Sequence, residues 1–164
     1  MTVSVRAATI GDEAIILSFI KELAEYEKLS HEVVATERDL EVTLFADNPR
    51  VFALIAEQSG AAVGFALYFF NYSTFLGKHG LYLEDLYVQR QYRGIGAGKA
   101  LLASLAKIAV ENDCGRMEWS VLDWNKPSIE FYRSLNAEPM DGWTTYRLTG
   151  DPLRALAAYE MNGR

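Results

Sequence analysis

Leu81-Tyr-Leu-Glu84-Asp85-Leu-Tyr-Val88-Gln-Arg-Gln-Tyr-Arg93-Gly94-Ile95-Gly96-Ala97-Gly98-Lys99 decides the fold. Its first eight residues form an apolar strand pattern carrying two carboxylates, and a glycine-rich turn with basic residues follows. Beyond Lys99, Leu101, Leu102, Leu105, Ile108 and Ala109 recur at helical spacing. A strand, a glycine turn and a helix N-terminus together make a phosphate site. The first backbone N–H groups of the helix have no partner within it, and its dipole favours negative charge.

Spacing decides which phosphate. In a P-loop register, Gly98-Lys99 puts Arg93 at the first glycine and Ala100 at the magnesium-binding hydroxyl, which excludes nucleotide hydrolysis of that type. The dinucleotide fingerprint needs a glycine at 99, which is lysine. The pattern that remains is [RQ]-x-x-G-x-[GA], satisfied by Gln91-Tyr-Arg-Gly94-Ile-Gly96 and again by Arg93-Gly-Ile-Gly96-Ala-Gly98. It resembles the pyrophosphate arm of the GCN5-related N-acetyltransferases (GNAT). The resemblance implies acetyl-coenzyme A as co-substrate. Arg93, Gly94, Ile95, Gly96, Ala97, Gly98 and Lys99 would then grip the pyrophosphate, with Leu86, Tyr87 and Val88 along the pantetheine and thioester.

Composition sets the bounds. A chain of 164 residues, half of them apolar, suits one soluble domain, expected over 1–164. A net charge of −6 and a pI of about 5.0 disfavour nucleic acid and suit a cationic substrate. The single cysteine, Cys114, precludes an intrachain disulfide. The N-terminal Met-Thr-Val-Ser-Val-Arg lacks the long apolar stretch of a signal peptide, and no window reaches membrane-span length. The expectation is a cytoplasmic protein without a membrane partner.

Along the chain, 3–7 reads as a strand. Thr9-Ile-Gly-Asp12 reads as a helix entry, with helical spacing to about Leu29. Thr36-Glu-Arg-Asp39 opens a second helix to Phe45. Strands at 51–57 and 62–70 are joined by the hairpin signal Gln58-Ser59-Gly60-Ala61. A loop at 71–80 leads to the strand at 81–88, followed by a helix over 94–112 with Ile95 in its core stripe. A strand at 116–122, a helix opened by Asn125-Lys-Pro127-Ser128, a strand at 143–148 and a terminal helix complete the chain. The order predicts a mixed α/β domain with a central sheet flanked by helices. It is similar to the acetyltransferase fold, which implies acetyl-coenzyme A at the splayed centre of the sheet.

Acetyl transfer to an amine requires a proton acceptor, because a lysine-type amine with a pKa near about 10.4 is almost wholly cationic at neutral pH. Glu84 and Asp85 are costly to bury in an apolar strand unless paired or functional, and strict alternation sets them on opposite faces. Glu84 is the preferred base and Asp85 the preferred structural carboxylate. Tyr132 shares a helical face with Ile129 and Leu135, which by spacing alone is ordinary packing. Asn125-Lys-Pro127-Ser128-Ile-Glu-Phe-Tyr132 resembles the second coenzyme A segment of the family. The resemblance implies Tyr132 as general acid, Asn125 at the cofactor, and Pro127 and Ser128 along its arm.

Leu23-Ala-Glu-Tyr26-Glu27, Phe65-Ala-Leu-Tyr-Phe-Phe, Tyr82-Leu-Glu84-Asp85 and Trp124-Asn-Lys-Pro-Ser-Ile-Glu-Phe-Tyr132 together resemble the diamine (spermidine/spermine) acetyltransferases. This implies a homodimer, a small cationic amine as substrate, Glu84 acting through water, and Tyr26 and Glu27 lining the amine site. The loop Asn71-Tyr-Ser73-Thr-Phe75-Leu-Gly77-Lys78 lacks the acid and the tryptophan of the polyamine enzymes. With Val-Leu-Asp123-Trp124-Asn125 it looks more like the thialysine-acetylating branch. A lysine-like amino acid or a small diamine is the expected acceptor. A protein lysine or N-terminus, or a coenzyme A sensor without turnover, is the alternative.

The remaining candidates read plainly. His31 and His79 lack metal-ligand spacing, and no metal is expected. Cys114 has no basic neighbour, so a covalent acetyl-cysteine route is disfavoured. Trp119 and Trp143 read as core or dimer-interface aromatics.

Overall fold

In the computed structural model, which describes residues 2–160, the signal at 58–61 folds as a two-residue hairpin turn with positive φ at Ser59 (52°) and Gly60 (80°). That turn geometry matches the right-handed twist of the strands it joins, β2 (Phe52–Gln58) and β3 (Ala61–Ser73). β1 (Val3–Ala7) and β4 (Lys78–Val88) add antiparallel on either side, and β5 (Met117–Trp119) adds parallel to β4. The result is a five-stranded mixed sheet in the order β1-β2-β3-β4-β5. Met1 and 161–164, part of the domain expected over 1–164, lie outside the described residues. The chain separates into two compact units, one up to Leu122 and one from Asp123 onward.

In the first unit, α1 (Glu13–Tyr26) and α2 (Glu37–Leu44) cover one face of the sheet. Ile16, Phe19, Leu40 and Leu44 form one core cluster with Ala53, Ile55, Phe65 and Tyr87, and the Phe19 and Phe65 rings stack at 5.8 Å. α3 (Ala97–Glu111) runs against β1 to β4 and buries Leu101, Leu102, Leu105 and Ala109. The helix starts are chemical. Thr36 Oγ1 accepts the Asp39 N–H at 3.2 Å, and Asp39 returns the bond to the Thr36 N–H at 2.8 Å, the capping box expected there. Asp12 accepts the Thr9 N–H at 2.7 Å while ion-paired to Arg6 at 2.8 Å, so α1 begins at Glu13.

Several expectations give way. Residues 71–80 are not a loop: β3 and β4 continue through Asn71↔Gly80 and Tyr72↔His79 to a turn at 74–77. Ser73 closes that turn, its Oγ accepting the Leu76 N–H at 3.2 Å and its carbonyl the Gly77 N–H at 2.9 Å. Polar residues on this exposed arm imitate a loop in the sequence. α3 begins at Ala97 rather than 94, because Gly94 (φ 81°) and Gly96 (φ 89°) are left-handed. Ile95 therefore lies outside the helical stripe, 38% exposed.

The second unit holds α4 (Lys126–Ser134) and α5 (Gly150–Ala157). The expected strand at 143–148 is not formed, and Trp143 is 76% and Tyr146 93% exposed. The alternation of that segment has no paired neighbour to satisfy its backbone among the described residues. No helix among the described residues is long and apolar enough to cross a membrane.

Candidate active site

The site begins at an irregularity in β4. Tyr68 pairs with Leu83 but Leu67 with Asp85, so Glu84 is an inserted, bulged residue. The bulge reverses the strand's alternation. Leu83 faces with Tyr68, whereas Asp85 turns to the face of Leu67 and, one pair on, of Phe65↔Tyr87, which α1 covers. The pairing of β4 with β5 also stops at Leu83↔Trp119, so the two parallel strands part where the bulge occurs.

Glu84 is exposed at this point. Asp85 is the half-buried member of the pair: desolvation first, then the charges of Glu84 and Glu27, push its carboxyl from the ordinary 3.8 up to about 6. Burial alone raises Glu27, which follows the last residue of α1. Glu84 and Glu27 thus both act on Asp85, where β4 parts from β5. The carboxylate expected to be structural, Asp85, lies on the same face of β4 as Tyr87, the face that α1 covers.

Beyond Val88 a 3-10 turn (Arg90–Tyr92) leads to the glycine turn. Gly96 is the N-cap of α3, and no side chain caps the helix. A Cβ built on Gly94 or Gly96 meets nothing within 4 Å, so open space stands over the first-turn amides. Uncapped amides, an uncluttered turn and a freed strand edge at 84–88 fit the pyrophosphate and pantetheine of coenzyme A. Leu86, Tyr87 and Val88 lie on that edge, and Ala97, Gly98 and Lys99 form the first helical turn.

Arg93 is fastened to both β4 and α1. Its Nε donates to the Val88 carbonyl at 3.1 Å, and its guanidinium lies 5.0 Å from the Tyr26 ring centre and 5.9 Å from that of Tyr87. Glu22 completes the arrangement, accepting from the Tyr87 hydroxyl at 2.9 Å and from Gln89 Nε2 at 3.1 Å. Burial and the Glu22 bond push the Tyr87 hydroxyl up to about 12, so it holds its proton at neutral pH. Nothing in the sequence analysis singles out Glu22; its place one turn before Tyr26 on α1 is the signal that the sequence carries.

In the second unit, Asn125 is buried and caps α4, its Oδ1 accepting the Ser128 N–H at 3.4 Å, with Pro127 in the first turn. Tyr132 on α4 is half-buried, its ring centre 5.9 Å from that of Phe131. The Cys114 thiol is pushed up by burial and then by Asp113, the opposite of an activated nucleophile. No cluster able to hold a metal occurs among the described residues.

Residues 19–137 match the acetyltransferase (GNAT) family. The chain is 40% identical to a pig thialysine N-epsilon-acetyltransferase, over 95% of this chain and 98% of that protein. It is 34% identical to an Arabidopsis thaliana L-ornithine N5-acetyltransferase, over 93% and 86% respectively. Among solved structures, an integron cassette protein from V. cholerae superposes with a TM-score of 0.79 at 27% identity, covering 97% of this chain and 99% of that one. The glycine turn before α3, the parting of β4 from β5 and these likenesses agree: the chain belongs to the acetyltransferase (GNAT) family.

Proposed function

We propose that the protein transfers the acetyl group of acetyl-coenzyme A to a primary amine of a small cationic substrate. The acceptor is a thialysine- or lysine-like amino acid or a diamine, attacking directly in a ternary complex. The observation that carries this reading is the carboxylate group at the β4 bulge, where half-buried Asp85 feels the charges of Glu84 and Glu27. An ammonium entering there finds the charge that offsets its own desolvation. The relatives named for thialysine and for ornithine support an acceptor of this size and charge.

Each residue has a task in this scheme. Asp85 and Glu27 hold the cationic amine, and Tyr26 forms the wall beside them. Glu84, exposed at the bulge, removes the amine proton through water. Bound acetyl-coenzyme A supplies the activated thioester carbonyl. The Tyr132 hydroxyl keeps a proton for the departing sulfur. Arg93 to Lys99 receive the pyrophosphate at the α3 N-terminus, and Asn125, Pro127 and Ser128 line the cofactor arm. The protein acts as a cytoplasmic homodimer without a metal, nucleic acid or membrane partner. The exposed Trp143 and Tyr146 support a second copy as the cover for that segment.

Coenzyme A release across an amine panel tests the reading. The panel holds thialysine, lysine, ornithine, short diamines, spermidine, spermine and a lysine-containing peptide. Turnover of thialysine or a short diamine well above spermine and the peptide is expected. Preference for the peptide would make this a protein acetyltransferase, and tight coenzyme A binding without turnover would make it a sensor. Tyr132→Phe is expected to lower kcat while leaving coenzyme A affinity nearly intact; a lost affinity with normal kcat would make Tyr132 a packing residue.

A further inference from the structure

An open groove of about 490 Å3 runs between the C-terminal half of α1 and the turn after β4, lined by Glu22, Glu25, Tyr26, Tyr87, Arg90 and Arg93. Its charges are of two kinds. Glu22 is engaged by Tyr87 and Gln89, and Arg93 by the Val88 carbonyl and the Tyr26 ring. Glu25 and Arg90 are exposed, and neither side chain makes an ion pair or hydrogen bond to any described residue, although both line this groove. One carboxylate and one guanidinium therefore face a shared space without neutralising each other.

We propose that this groove receives the α-amino-acid head of the acceptor, with Arg90 pairing its carboxylate and Glu25 its α-ammonium, while the side-chain amine reaches Asp85. The inference rests on the small-amine reading above and narrows it to zwitterionic amino acids. A guanidinium matches a carboxylate in planar, two-bond fashion. A bare diamine presents a second cation to Arg90 and gains nothing there. Tyr87 in the groove wall and Asp85 lie on one face of β4, two residues apart, about 7 Å along the strand, a gap that an extended lysine side chain and one charge-assisted contact of about 2.8 Å together span. The five bonds from Cα to Nζ of an extended lysine span roughly 6 Å at ordinary bond lengths.

Steady-state kinetics with L-lysine, L-lysinamide and 1,5-diaminopentane test this on the intact enzyme and on Arg90→Gln, Arg90→Lys and Glu25→Gln. Arg90→Gln is expected to raise the KM for lysine about tenfold with kcat unchanged. Lysinamide and diaminopentane should stay within about twofold, and Arg90→Lys should restore part of the lysine KM. Glu25→Gln should raise the KM for lysine and lysinamide more than for diaminopentane. Equal effects of Arg90→Gln on all three amines, or none on any, would overturn the groove as a carboxylate site while leaving the acetyltransferase reading intact. A wild-type enzyme that turns over none of the three would overturn both. Thermal melts of each variant separate lost recognition from lost folding.

Discussion

The Arg93 guanidinium lies 5.0 Å from the centre of the Tyr26 ring, so one stacked contact joins the glycine turn ahead of α3 to the last residue of α1. The first element is the proposed phosphate arm and the second borders the proposed amine site. Because Arg93 Nε also donates to the Val88 carbonyl, the side chain is fastened to β4 as well.

A double-mutant cycle measures this link. A cation–π contact at an exposed site is worth about 0.5–1 kcal/mol. Arg93→Ala and Tyr26→Ala are each expected to cost on the order of 1 kcal/mol in urea unfolding, with the double variant falling short of their sum. Strict additivity would mean the stack carries no energy.

Asp85 makes stability depend on pH. Its folded pKa of about 6 lies above the ordinary 3.8, so the folded state binds the proton more tightly. The stabilisation is fully present below about pH 4 and is lost as pH rises through about 6. Two pKa units correspond to roughly 3 kcal/mol as an upper figure. Asp85→Asn should therefore abolish most of this slope between pH 4 and 7 in denaturant titrations; an unaltered slope would place the titration elsewhere.

The two carboxylates at the bulge should separate kinetically. A bound ammonium favours ionised Asp85, so the amine KM of the wild type should climb below about pH 6, and that climb should vanish in Asp85→Asn. Glu84→Gln should instead depress kcat near neutrality and recover in part at higher pH, where more free amine exists. A Glu84→Gln enzyme with the wild-type pH–rate profile would remove Glu84 as base.

Gly96 has φ 89°, and a Cβ there meets no protein atom within 4 Å. Gly96→Ala thus costs the free protein only backbone strain, about 1–2 kcal/mol. The added methyl stands over the amides proposed for pyrophosphate, and calorimetric titration should show coenzyme A affinity reduced at least ~tenfold. Unchanged affinity in a folded variant would remove the turn from the cofactor site.

Light scattering should give twice the 18.4 kDa chain mass. Replacing Trp143 and Tyr146 by serine should shift the population toward monomer, since their exposed rings are the proposed contact. A monomeric wild type would refute the homodimer.

Much of this molecule is legible from residues a few positions apart. Thr36 and Asp39 announce a helix, Ser59-Gly60 a hairpin, and Gly94-Ile-Gly96-Ala-Gly98 an uncapped helix entry, because caps and turns are closed by bonds three or four residues long. The carboxylates at 84 and 85 are equally visible, but their division of labour is not.

That division depends on partners far along the chain. The register slip against Leu67 and Tyr68 turns Asp85 toward α1, where burial and Glu27 raise its pKa. Likewise, no residue near Arg93 in sequence shows that its guanidinium lies against Tyr26, more than sixty residues earlier. The segment at 143–148 alternates like a strand yet pairs with none among the described residues. The sequence by itself determined the elements, the glycine turn and the family, all written in short-range patterns. Only the tertiary structure decided which carboxylate is the more shielded and what Arg93 touches, because register and desolvation are set by contacts between residues remote in sequence.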